Sequence, residues 1–79
     1  MRKMFRAHIN VTCGYGYSRP ERYYTIPVLF RDCDAATQAA IKSAKRVAAR
    51  GYLNDEFGRP VWGKVDCKVW VTSERVVVV

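Results

Sequence analysis

Asp32 to Gly51, DCDAATQAAIKSAKRVAARG, is the stretch whose reading decides the fold. Asp32 and Asp34 are residue types that cap helix N-termini, and a carboxylate there also meets the positive end of the helix dipole. From Ala35 to Arg50 the sequence is rich in Ala. Ala40, Ile41, Ala44, Val47 and Ala48 recur at spacings of three and four, which makes one apolar stripe. Gly51 is the residue type that ends a helix in the left-handed conformation. An inner face built mostly of Ala lets such a helix lie close against a sheet.

The flanking segments supply that sheet. Phe5, Ala7, Ile9, Val11 and Cys13 alternate with Arg6, His8, Asn10 and Thr12, the period of a half-buried strand. Gly14 to Arg22 carries Gly, Ser and Pro and reads as a hairpin loop. Tyr23 to Arg31 reads as a second strand with Tyr24, Ile26, Val28 and Phe30 inward. Pro27 cannot donate to a ladder, which predicts an edge position or a bulge. Past the helix, Tyr52 to Pro60 reads as a connection with a small turn at Asn54-Asp55. Val61 to Thr72 reads as a long third strand, with Gly63, Val65, Cys67, Val69 and Val71 inward. Ser73 to Arg75 would turn the chain into a short fourth strand, Val76 to Val79. The expectation is an α+β fold, β-β-α-β(-β), an antiparallel sheet with one helix packed on one face. The crossover through the helix leaves room for one parallel pair.

With 79 residues, the chain has room for a single α+β domain, 1–79, and it shows no repeat, linker or low-complexity tract. Its 49% apolar residues include enough aromatic and β-branched side chains for a folded core, and a mean hydropathy of -0.22 suits a soluble protein. Fourteen Lys and Arg against seven Asp and Glu give a net charge of +7. On so small a body that field points to an acidic protein or a nucleoprotein as partner, with nucleic acid itself a second option. Met1 to Arg6 (MRKMFR) is positive like the start of a signal peptide, but Arg6, His8, Asn10 and Thr12 interrupt the apolar run that should follow. No run approaches the ~20 residues of a membrane span. Three cysteines without a CxxC pair fit buried free thiols in a reducing cytoplasm.

Three surfaces carry the candidate chemistry. On the sheet face away from the helix, Arg6, Trp62, Lys64, Lys68 and Trp70 would form an aromatic and cationic surface, in which rings stack on bases while ammonium groups sit near phosphates. Alternatively the two Trp pack on cross-strand neighbours such as Leu29, or serve a protein interface. On the helix, Lys42, Arg46 and Arg50 lie four apart with Lys45 beside them, and no acidic residue falls between Asp34 and Asp55. Such a ridge suits phosphate or carboxylate; it would also serve as a solvated face. In the first hairpin, Tyr15, Tyr17, Arg19, Arg22, Tyr23 and Tyr24 crowd together residue types that dominate recognition loops. Residues 1–31 hold six Arg or Lys against Glu21, a net of +5. Catalysis, cofactors and metals are not expected. The single His8 has no orienting acid, Cys33 sits between Asp32 and Asp34, Asp55-Glu56 lacks ligand spacing, and no Cys/His cluster suits zinc.

The element order, the length and the Asp-capped, Ala-rich helix between strands resemble small phage-encoded inhibitors, the anti-CRISPR proteins that act on type I surveillance complexes. The same plan resembles the partial RNase H-like fold of antitoxins, without the Pro-Asp and Gly-Cys signals usual before that helix. The first resemblance implies a non-catalytic protein in the host cytoplasm that docks on a nucleoprotein complex and blocks access to DNA. Tyr17, Arg19, Arg22, Lys42, Arg46, Lys64 and Lys68 are the expected partner contacts, Arg through bidentate bonds, Lys as point charges and Tyr through apolar area. Four consecutive Val at residues 76–79 would expose an apolar edge, so either a monomer or a homodimer is expected.

Overall fold

Alternation from Phe5 to Cys13 marks the sheet's central strand, β1 (Arg2–Cys13), in a computed structural model that describes residues 2–14 and 19–77. The remaining elements follow in order: β2 (Glu21–Phe30), α1 (Cys33–Arg50), β3 (Tyr52–Asn54), β4 (Pro60–Trp62) and β5 (Val65–Val76). β1 lies between β2 and β5, antiparallel to both. β2 and β5 therefore point the same way on opposite sides of β1, and the crossover through α1 skips one strand. The parallel pair that the crossover left open is not formed. The α+β architecture itself, one helix on an antiparallel sheet, is as the sequence pattern requires.

The helix is built as its sequence indicates. The Asp32 carboxylate accepts from the Asp34 N–H at 3.0 Å, and Gly51 closes the far end at φ 72, its N–H donating to the Ala48 carbonyl at 3.1 Å. Only Gly takes that left-handed conformation without strain. Ala36 and Ala40 are fully buried against Ala7, Ile9, Val11 and Cys13 of β1. Small side chains on the helix let the larger ones on β1 fill the layer. The inner stripe is centred on Ala36, Ala40, Ala44 and Val47, whereas Ala48 is exposed and Ile41 half-buried. One helix cannot cover three strands, and a groove lined by Ile41, Ala44, Ala48, Val65, Cys67 and Val69 remains between α1 and β5.

β2 departs from its expected regularity at Pro27. The register runs Arg6 against Leu29 and then His8 against Thr25, so Ile26, Pro27 and Val28 together oppose Ala7. The bulge and the edge position both follow from the missing N–H. The bulge also turns out Val28, expected inward, which is 55% exposed.

Beyond the helix two expectations are corrected. Tyr52 to Pro60 is more than a connection: β3 and β4 pair as a separate two-stranded ribbon, Tyr52 against Trp62 and Asn54 against Pro60. The chain breaks at Gly63-Lys64, so the expected third strand from Val61 is two elements, β4 and β5. No turn follows Thr72. Ser73, Glu74 and Arg75 continue β5 opposite Phe5, Met4 and Lys3, and Val76 ends it opposite Arg2. A start of β1 at Arg2 rather than Phe5 supplies the partners that keep β5 extended. The remainder of the expected fourth strand, 78–79, lies outside the described residues. Of the cysteines, Cys13 is buried as expected, Cys67 half-buried and Cys33 exposed at the start of α1.

The closeness of α1 to β1 predicts that Ala40→Leu, which forces extra carbons into a fully buried position, lowers unfolding free energy by about 1–3 kcal/mol. Urea denaturation of both proteins measures it.

Candidate functional site

Two surfaces carry the predicted side chains, and they lie on opposite faces of the sheet. The face away from α1 displays Arg6, His8, Asn10 and Thr12 from β1. Asp66, Lys68, Trp70, Thr72 and Glu74 flank them from β5, and Tyr23 and Thr25 from β2. At its centre His8 is only 8% exposed, because it packs in a triangle with the rings of Trp70 and Tyr23, which are themselves 5.7 Å apart. The imidazole stacks on Trp70 at 5.3 Å and 14°, and on Tyr23 at 5.8 Å and 20°. Its Nε2 is 2.7 Å from the Thr72 hydroxyl, and its Nδ1 is 2.6 Å from that of Tyr23. Thr25 Oγ1 donates in turn to the Tyr23 hydroxyl at 3.0 Å. The Thr25 hydroxyl also lies 3.3 Å from Nδ1, so three hydroxyls surround the two ring nitrogens. Both ring nitrogens are thus occupied in tying three strands together. The sequence places His8 outward; its burial comes from neighbours on two other strands, which no local pattern reveals.

The charges of this face are largely paired. The Arg6 guanidinium donates from Nε to Glu74 at 2.7 Å. That hydrogen bond holds the Glu74 carboxyl below its usual range, outweighing desolvation, with the charges of Arg6 and His8 acting in the same direction. The Arg6 guanidinium is in turn pushed up, chiefly by the same bond. Asn10 Nδ2 donates to Glu21 at 2.9 Å. Arg19 and Lys64 approach Asp66 at 4.0 and 3.9 Å. A cleft of about 470 Å³ lies among Asn10, Thr12, Arg19, Glu21, Asp66 and Lys68, so its walls carry both signs of charge. Under the sheet, desolvation and then Asp66 raise the Cys67 thiol, which keeps it protonated.

The expected row of alternating Trp and Lys along one strand does not exist. Trp70 is on β5, but Trp62 is on β4, where its ring packs on Tyr52 at 4.8 Å and lies over Gly51. The break at Gly63-Lys64 removes Trp62 and Lys64 from the strand that carries Lys68 and Trp70. Trp70 does pack on cross-strand neighbours, His8 and Tyr23 rather than Leu29.

Arg22, expected to be a partner contact, has an internal role. It lies on the helix side, opposite Val11, and donates to the carbonyls of Asn54 and Asp55 at 2.6 and 3.2 Å. Those carbonyls begin a tight turn in which Asp55 Oδ1 accepts from the N–H groups of Phe57 and Arg59, both at 2.9 Å. The turn projects Phe57, 71% exposed, with the Arg59 guanidinium 5.3 Å from its ring centroid. The tyrosines Tyr15 and Tyr17 lie outside the described residues.

The helix ridge is the second surface. Lys42, Lys45, Arg46 and Arg50 lie on α1 away from its buried stripe, and among the described residues no ion pair involves any of them. They do not form a single line: Lys45 borders the groove beside β5, whereas Arg50 borders the flank beside β2 with Tyr24, Ile26 and Val47. The cations therefore wrap the outer half of α1. No cluster of three His, Cys, Asp or Glu side chains able to hold a metal occurs among the described residues. No helix there is long and apolar enough to cross a membrane. No protein-family model, curated protein or solved structure matches the chain.

Two outcomes test this geometry. His8→Leu keeps much of the volume but deletes both hydrogen-bond links and the ring contacts, and stability falls by about 1–3 kcal/mol; equal denaturation midpoints would show that neither contributes net cohesion to the sheet. Because Glu74 has a lowered carboxyl pKa in the folded chain, its pairing contributes fully above the unfolded carboxyl pKa, about 4.3. That contribution drains away as pH falls through the folded value. Glu74→Gln should flatten the acid limb of a stability-against-pH curve and leave its alkaline limb alone.

Proposed function

We propose that the chain is a non-catalytic binding protein, an inhibitor of the anti-CRISPR type. It docks on a nucleoprotein such as a bacterial type I surveillance complex and blocks its access to DNA. It acts in the host cytoplasm, where its thiols stay reduced. The observation that carries this reading is the cation ridge of α1: four Lys and Arg without an ion-pair partner among the described residues, on a protein of net charge +7. Cations already neutralised within the fold contribute little to an external field, whereas free ones steer an anionic partner and fix its register. Lys42, Arg46 and Arg50 are the first contacts, with Lys45 beside them. Arg19, Lys64 and Lys68 form a weaker group around Asp66 on the other face. Arg can grip carboxylate or phosphate with two parallel bonds, and Lys supplies a mobile point charge.

Direct nucleic-acid binding is the second reading. The observation in its favour is Trp70, 40% exposed in a cluster of three mutually packed rings, two residues from Lys68 on the same face of β5. Separation of Trp62 from that strand leaves one stacking platform instead of two.

A purified type I surveillance complex and its target duplex provide the test. The protein should reduce duplex binding by the complex, and Lys42→Glu with Arg46→Glu should weaken that effect roughly tenfold or more, ~1.4 kcal/mol. Unchanged duplex binding with wild-type protein overturns the docking reading. Tight binding of free duplex or single strands by the protein alone, falling log-linearly with salt, installs the second reading in its place.

A further inference from the structure

We propose that β5 is a self-association edge: two copies pair antiparallel along β5, with Val71 on the two-fold axis, to make a continuous six-stranded sheet. This inference is independent of the docking partner and rests on three observations.

The first is that the sheet's two edges differ. β2 is broken by the three-against-one bulge at Pro27. β5 keeps an unbroken register of twelve pairs with β1 and contains no proline. Its outer side presents a row of unpaired N–H and C=O groups, the template for an added strand.

The second is charge complementarity in one register. A two-fold axis through Val71, perpendicular to the sheet, sets Lys68 opposite Glu74 of the copy, and Glu74 opposite Lys68. Opposite charges directly across an antiparallel pair are favourable, like charges unfavourable. An axis one residue earlier, at Trp70, would set Asp66 against Glu74 twice. An axis at Thr72 would leave Lys68 facing Val76. The Val71 register also uses the whole strand, Val65–Val76, and brings Val65 opposite Val77 just beyond its end.

The third is apolar surface left uncovered along this edge. Val77 is 69% exposed, Val65 and Val69 are half-buried in the wall of the open groove under α1, and Val71 is half-buried further along the same face. In the Val71 register Val77 covers Val65 of the copy, Val71 meets Val71, and Arg75 lies opposite Cys67, where its aliphatic stem shields the groove floor. The axis leaves both helices on the same face, so the two cation ridges lie side by side.

Sedimentation equilibrium under reducing conditions, with nucleic acid removed and at physiological salt, tests the proposal. The expected result is a mass rising from one chain to two with concentration. Alternate β5 amides should exchange hydrogen more slowly as the two-chain species fills. Lys68→Glu, at an exposed site without an ion-pair partner among the described residues, turns both symmetric pairings with Glu74 into carboxylate against carboxylate. It should raise the dissociation constant tenfold or more, with an unchanged circular dichroism spectrum. A one-chain mass at every concentration overturns the proposal. So does a two-chain species that Lys68→Glu leaves untouched, or one in which β5 amides exchange at the same rate at all concentrations.

Discussion

β1 is hydrogen-bonded along both edges, to β5 over twelve consecutive residues and to β2 over seven paired positions either side of a bulge. Everything else in the molecule is placed by that strand. Its inner side chains, from Ala7 to Cys13, are the most deeply buried in the sheet and receive the Ala face of α1. Its outer side chains, Arg6, His8 and Asn10, each find a partner on a neighbouring strand, Glu74, Thr72 with Tyr23, and Glu21. A domain of this size buries only about 60% of its unfolded surface, so a polar face that is also cross-linked adds cohesion that the thin apolar layer does not provide.

The distribution of carboxylates follows from the same arrangement. Asp32 caps α1 and Asp34 lies in its first turn. Asp55 organises the β3–β4 turn. Glu21, Asp66 and Glu74 meet Asn10, Arg19 with Lys64, and Arg6 on the open face. None of these six pairs with a cation on the outer half of α1. Among the described residues the four helix cations are therefore without an ion pair, as are Arg2, Lys3, Arg22 and Arg31 of the first hairpin and its flanks.

What could be seen in the sequence was whatever depends on near neighbours. The helix, both of its caps and the inward set of β1 follow from spacing, and the disruption at Pro27 follows from one missing N–H. The β3–β4 ribbon was not legible, because its stability comes from Arg22 gripping carbonyls more than thirty residues away and from Trp62 lying over Gly51. Alternation continues through Gly63-Lys64 in the sequence, so the break there left no periodic mark. His8 posed the same problem: an outward position by parity becomes buried only when Tyr23 and Trp70 arrive from two other strands. Of the candidate contacts, Lys42 and Arg46 stay clear of the buried stripe as their helical spacing implies, whereas Arg22 is consumed inside the fold.

The kink that Pro27 puts into β2 has a consequence for how these molecules can accumulate. A ribbon whose two borders were equally regular could recruit neighbours without limit and grow into a fibre. Here the bulge spoils one border for ladder formation, so the proposed pairing along β5 would stop at two copies.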